Sequence, residues 1–160
     1  MKSVKDVDIA GKKVLVRVDF NVPLDGQGGV SDDTRIKAVM PTLTYVLAQH
    51  AALIVASHLG RPKGEVRPEF SLKPVAERLS TLLDRPVKFA QACVGPVAEE
   101  AVASLAAGEV LLLENLRFEP GEQQNDDDFA RKLGQLCDVY VNDAFAVCHR
   151  ANASVEAITR

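Results

Sequence analysis

The chain has 160 residues, of which 47% are apolar and 26% charged, the size and balance of a single domain with one well-filled core. Its formal net charge of −3 excludes a general nucleic-acid or membrane-surface binder, because either partner calls for a basic excess, so any positive site has to be local. The opening MKSVKDVDIAGKKVLV alternates charged and apolar residues, and stretches such as Ala51 to Ala56 and Val110 to Leu113 fall far short of the ~20 residues of a membrane span, so neither a signal peptide nor a transmembrane helix is expected.

In chain order, Lys13 to Val18 (KVLVRV) reads as the first strand. Asp33 to His50 then carries apolar residues at helical spacing, with Pro41 a misfit expected to kink or end that helix early. Ala52 to Ser57 (ALIVAS) is the second strand and Ser71 to Asp84 the second helix, its start marked by Ser71, Pro74 and Glu77. Pro86 to Phe89 is a third strand, followed by a helix over Gly95 to Ala107 that opens on Pro96, Glu99 and Glu100. Val110 to Glu114 (VLLLE) is the fourth strand. The acidic run Asp126 to Asp128 reads as the start of a helix reaching Cys137, complementing its dipole rather than holding a metal, and Asp138 to Asn142 is the fifth strand. Several strands are continuous apolar runs, the pattern of strands buried on both faces. Alternation of strand and helix predicts an α/β fold: a Rossmann-like three-layer α/β/α arrangement around a doubly wound parallel sheet.

Cys93, Cys137 and Cys148 are odd in number, widely spaced and without a CxxC pair. They are read as small core residues, with no disulfide framework, no metal site and a reducing, cytoplasmic location. Gly26, Gly28 and Gly29 lie in a polar loop rather than between a strand and a helix, which predicts a hairpin turn. No GxxxxGK[ST], GxGxxG, HRD or DFG occurs, so no nucleotide-phosphate cradle is visible.

In a parallel α/β sheet the loops leaving the carboxyl ends of the strands converge on one edge, where ligands bind. Here those loops carry Asp19-Phe20-Asn21, His58-Leu59-Gly60-Arg61, Asn115-Leu116-Arg117 and, after the fifth strand, His149-Arg150. Arg61, Arg117, Arg150 and Arg35 gathered at one rim of an acidic protein make a local positive field suited to a small polyanion, because the planar guanidinium fork matches phosphate or carboxylate. A lone surface arginine carries no such meaning. Asp19 and Asn21 either orient a ligand hydroxyl or make turn hydrogen bonds of their own. His58 is an anion donor or a core histidine. Gly60 lets the backbone approach a ligand, with Phe20 and Leu59 lining the same loops.

At these loops the sequence closely resembles the phosphoglycerate kinase family, through VRVDFNVPLD (Val16 to Asp25), DDTRI (Asp32 to Ile36), ASHLGRPKG (Ala56 to Gly64), LLENLRF (Leu112 to Phe118) and VNDAFAVCHRANAS (Val141 to Ser154). The resemblance implies the amino-terminal lobe, over residues 1–160, of a two-lobed enzyme of glycolysis that reversibly transfers a phosphoryl group between 1,3-bisphosphoglycerate and ADP, giving 3-phosphoglycerate and ATP. It implies that His58, Arg61, Arg117 and Arg150 hold the 3-phosphate, that Asp19 and Asn21 fix the glycerate end, and that Arg35 is the catalytic arginine. Mg-ATP and Mg-ADP are expected on a carboxyl-terminal nucleotide-binding domain that has no counterpart here, which leaves this chain without a cofactor and inactive alone. One departure stands out: the family's His-Arg-Ala-His is His149-Arg150-Ala151-Asn152, with Asn152 in place of the second histidine. A stand-alone phosphate-binding module, or a fragment with a structural role only, would share the arginine rim without the chemistry.

Overall fold

Five short runs rich in valine, leucine and isoleucine form the sheet in the computed structural model, which describes residues 7–25 and 29–143. They are β1 (Lys13–Val18), β2 (Ala52–Ala56), β3 (Val87–Ala90), β4 (Val110–Leu113) and β5 (Val139–Asp143), each within a residue or so of the range read from the sequence. All pair in parallel, in the order β3-β4-β2-β1-β5. The helices are α1 (Thr34–Ala48), α2 (Lys73–Leu83), α3 (Pro96–Ala103), the single turn α4 (Pro120–Gln123) and α5 (Asp127–Gly134).

Successive residues of a strand point to opposite faces, and the core divides accordingly. Val14, Val16, Leu53, Val55, Val110 and Leu112 pack with Ile36, Leu43 and Val46 of α1 and Val75 and Leu79 of α2. Leu15, Ile54, Leu111 and Leu113 pack on the other side with Ala98 and Val102 of α3 and Phe129 and Leu133 of α5. Steps toward the β3 edge therefore run over the α1/α2 face, and steps toward the β5 edge over the α3/α5 face, as one consistent crossover hand requires. Neighbouring β2 and β4 send their chains to opposite faces, so a crevice opens beyond their carboxyl ends.

The first helix does not end at Pro41; it continues to Ala48. Proline removes one backbone donor, but Pro41 sits on the exposed side while Ile36, Val39, Leu43, Val46 and Leu47 keep a continuous buried stripe, and Thr44 Oγ1 bonds the carbonyls of Met40 (2.8 Å) and Pro41 (3.2 Å). The third helix stops at Ala103 rather than Ala107; beyond it Gly108, at φ +85, turns the chain so that its N–H reaches Ala51 O at 2.9 Å. The Gly-rich loop is flanked as a hairpin: Leu24 bridges Val30 antiparallel, and Asp25 N donates to Gly29 O at 2.8 Å. Asp126 caps α5, its Oδ2 accepting from Phe129 N at 3.2 Å. Cys93 is buried and Cys137 half-buried, burial raising both thiols, Cys137 to about 11; Cys148 lies outside the described residues. Among the described residues no helix is long and apolar enough to cross a membrane.

Candidate functional site

The carboxyl ends of β1, β2 and β4 are stitched together by side chains. After β1, Asp19 closes an Asx turn, Oδ1 accepting from Asn21 N at 3.0 Å, while Phe20 is driven into the core and its N–H donates to Ser57 Oγ at 2.8 Å. Asn21 then reaches across to the next connection, its Oδ1 accepting from Gly60 N at 2.9 Å. Asp19 therefore makes the turn hydrogen bond that was one of the two readings of this pair, while Asn21 joins two loops.

Asn115, fully buried after β4, is the main brace of the crevice. Its Oδ1 accepts from Leu59 N (3.2 Å) and Arg117 N (3.0 Å), and its Nδ2 donates to Leu59 O (2.7 Å) and Phe70 O (3.0 Å), which uses the full donor and acceptor capacity of the amide. Arg117 is buried in a short 3-10 turn (Leu116–Phe118) and its Nη1 donates to Gly60 O at 3.0 Å. Leu59 is core, and its N–H and C=O are both held by Asn115. Gly60 has φ +63, and a Cβ there would stand 2.5 Å from the Phe70 ring. Its lack of a side chain is thus required by the turn and by Phe70, a packing reason that the sequence reading, based on ligand approach, did not contain.

Arg35, in the first turn of α1, points back over the loop after β1. Its Nη1 contacts Asp19 Oδ1 (3.2 Å) and Oδ2 (3.1 Å) and Asn21 O (3.2 Å), with half of the side chain exposed. Among the described residues its hydrogen bonds run through Nη1. Arg61 is exposed directly after Gly60. Asp19, Asn21, Arg35, His58, Gly60 and Arg117 therefore form one contact chain at the β2/β4 crevice, with Arg61 beside it; Arg150, with His149 and Asn152, lies outside the described residues.

Sequence reasoning missed Arg17. It sits on the α3/α5 face of β1, two residues after Leu15, and is fully buried. Its Nη2 is 2.9 Å from His58 Nδ1 and 3.7 Å from Glu122 Oε2 on α4, and its Nη1 bonds Val18 O. Burial lowers the Arg17 pKa, opposed by Glu122, Tyr140 and Asp19. Burial raises the Tyr140 phenol, opposed by Arg17. The signal was present in KVLVRV: an arginine inside a strand buried on both faces has to have buried partners. A guanidinium only donates, so His58 Nδ1 accepts, the ring proton is on Nε2, and Nε2 lies 4.0 Å from Asp19 Oδ1. Glu114 likewise serves the frame, accepting from Leu72 N (2.8 Å), Asn115 N (2.9 Å) and Ser71 Oγ (2.7 Å).

Among the described residues no group of three or more His, Cys, Asp or Glu is arranged to hold a metal ion. The arrangement fits a cradle of fixed donors for a small anion.

The family model for phosphoglycerate kinase matches residues 4–160. The phosphoglycerate kinase of Desulfosudis oleivorans is 62% identical over 160 residues, the whole of this chain and 40% of that protein, and that of Desulforudis audaxviator is 59% identical over 157 residues, covering 98% of this chain and 40% of that protein. Among solved structures, the phosphoglycerate kinase of Pyrococcus horikoshii superimposes with a TM-score of 0.90 at 33% identity, covering all of this chain and 40% of that one. The enzyme of Coxiella burnetii gives 0.85 at 35%, covering 97% and 38%. The chain spans about two fifths of the length of the curated relatives it matches. With the motifs, the sheet order and the matched length in agreement, the chain belongs to the phosphoglycerate kinase family.

Proposed function

We propose that this chain forms the 3-phosphoglycerate and 1,3-bisphosphoglycerate site of a phosphoglycerate kinase of glycolysis, and that the Mg-nucleotide is bound by a carboxyl-terminal domain of the same enzyme. The observation that carries this is the single contact chain at the β2/β4 crevice, which sets two arginines and a histidine from three connections around one opening. His58, Arg61, Arg117 and Arg150 hold the 3-phosphate, and Asp19 and Asn21 the glycerate end.

Arg35 is the catalytic residue. Its Nη1 is held by Asp19 and Asn21, which anchors the guanidinium beside the glycerate end, and its remaining donors serve the acceptor carboxylate, where negative charge builds as the phosphoryl group moves. In the direction that makes ATP, the P–O bond to the acyl oxygen breaks as the bond to the terminal ADP oxygen forms, and the electron pair stays on the carboxylate. A carboxylate is ionised at neutral pH, so the reverse reaction needs no general base.

Calorimetric titration with 3-phosphoglycerate tests the reading: saturable binding that weakens with added salt is expected. Arg61→Ala and Arg117→Ala should each weaken it by about tenfold or more, the equivalent of one charged hydrogen bond. Arg35→Ala should leave binding within a few fold and abolish turnover in the two-domain enzyme. Absence of binding, or turnover of ATP by this chain alone at a normal enzyme rate, would overturn the assignment.

A further inference from the structure

The buried charge network under the cradle constrains the chemistry of His58. Among the described residues, the groups facing the ring include Arg17 from β1, with Nη2 at 2.9 Å from Nδ1, and Asp19 from the following loop, 4.0 Å from Nε2; behind Arg17 stand Glu122 from α4 and Tyr140 from β5. A protonated Nδ1 would aim one N–H at another, since a guanidinium has five donors and no acceptor. Nor is the guanidinium easily displaced. It is seated on the Val18 carbonyl and the Glu122 carboxylate, both buried, and moving it would strand a charge.

We propose that Arg17, which lies beneath the cradle rather than in it, is a positioning residue that locks His58 as the neutral Nε2–H tautomer, so that the ring presents one fixed, uncharged donor on its Asp19 side. Histidine is ordinarily the side chain that changes charge between pH 5 and 8. Here the neighbouring guanidinium removes that switch, and the cradle keeps one donor pattern across the range. The inference rests on the assignment of His58 to the anion site.

Ring ¹⁵N NMR of His58 in the intact protein between pH 5 and 8 is the direct test. The expected spectrum shows Nδ1 unprotonated and Nε2 protonated throughout. Arg17→Met combined with Glu122→Gln removes the ion pair as a unit; in that variant the ring should take up a second proton with a midpoint within about one unit of 6.5, and 3-phosphoglycerate affinity should change across the same range relative to the parent. Arg17→Lys keeps a charged donor and should restore the flat response. A parent ring that titrates over this range overturns the proposal, and so does a folded double variant whose ring stays flat. His58→Gln separates the two readings: if it leaves 3-phosphoglycerate binding unchanged while the NMR responses are as expected, the tautomer lock stands and the place of His58 in the anion site falls.

Discussion

The carboxyl edge of the sheet and the exposed face of α5 both concentrate charge and hydrogen-bonding side chains, and they hold them in opposite ways. At the edge, polar side chains are buried or half-buried and bridge different connections: Asn115 joins the loops after β2 and β4, Asn21 joins those after β1 and β2, and Arg17 joins β1 to α4 and His58. On α5, Asp128 pairs with Arg131 at 3.5 Å and Lys132 at 3.6 Å, within one helix, with every partner more than half exposed. A buried bridge between separate segments fixes where loops sit, because losing it leaves groups that water cannot reach. An exposed pair within one helix replaces contacts that water supplies almost as well.

The largest effect is expected at Asn115. Asn115→Ala strands two backbone N–H groups and two carbonyls in the crevice, at about 1 to 3 kcal/mol for each one left unsatisfied, with relaxation recovering some. A loss of roughly 3 to 5 kcal/mol in urea unfolding, with an unchanged denaturant slope, is the expected result. A loss below about 1 kcal/mol would show that the crevice is not braced through this amide. Gly60→Ala comes next. A left-handed alanine costs about 1 kcal/mol or more, and its Cβ meets the Phe70 ring at 2.5 Å, so Phe70 has to move and the Asn21 and Arg117 contacts to Gly60 loosen with it. Thermal unfolding should show a loss near 2 kcal/mol, and 3-phosphoglycerate binding should weaken in the same variant.

The sheet was legible because its strands are short apolar runs with little else to become, and the alternation of strand and helix left few topologies to choose among. The loops were legible for the same topological reason: residues after parallel strands share an edge. What could not be read were the contacts made by long side chains between distant segments. Arg17 stood as one polar residue in a strand and Glu122 was not singled out at all, and only the tertiary arrangement makes them a pair. Gly60 was singled out, yet its partner Phe70 is ten residues away and pointed inward by a 3-10 turn (Pro68–Phe70) that no periodicity announced. Pro41 misled as to an early end of the helix because local propensity penalises it, while the buried stripe of α1 carries the helix past it.

A smaller effect is expected where an ion pair joins two elements at the surface. Arg78 on α2 donates through Nε (2.8 Å) and Nη2 (2.5 Å) to Asp33 Oδ2 at the start of α1, and this holds the Asp33 carboxyl below its ordinary pKa. A depressed folded-state pKa stabilises the protein above the unfolded-state value, near 4, and that stabilisation is lost as pH falls through the folded-state value. Arg78→Met should therefore be less stable than the parent at pH 7, and the gap in melting temperature should narrow below pH 4. A gap that is constant from pH 7 to pH 3 would place the effect in the packing of the arginine stem instead.

The smallest effect belongs to α5. Asp128→Asn removes the one partner that Arg131 and Lys132 share, yet all three side chains are more than half in solvent, where such a pair contributes about 0.5 kcal/mol or less and is screened by salt. Asp128 also sits in the first turn, where its charge faces the positive end of the helix dipole, so a further loss of about a few tenths of a kcal/mol is expected at low salt. Stability measured in low and in high salt tests this: the pair and dipole contributions both shrink as salt is raised, while the Asp126 cap on Phe129 N is present in parent and variant alike and does not enter the difference. A loss above about 1 kcal/mol that salt does not reduce would mean that α5 is held through Asp128 in the same way as the crevice is held through Asn115.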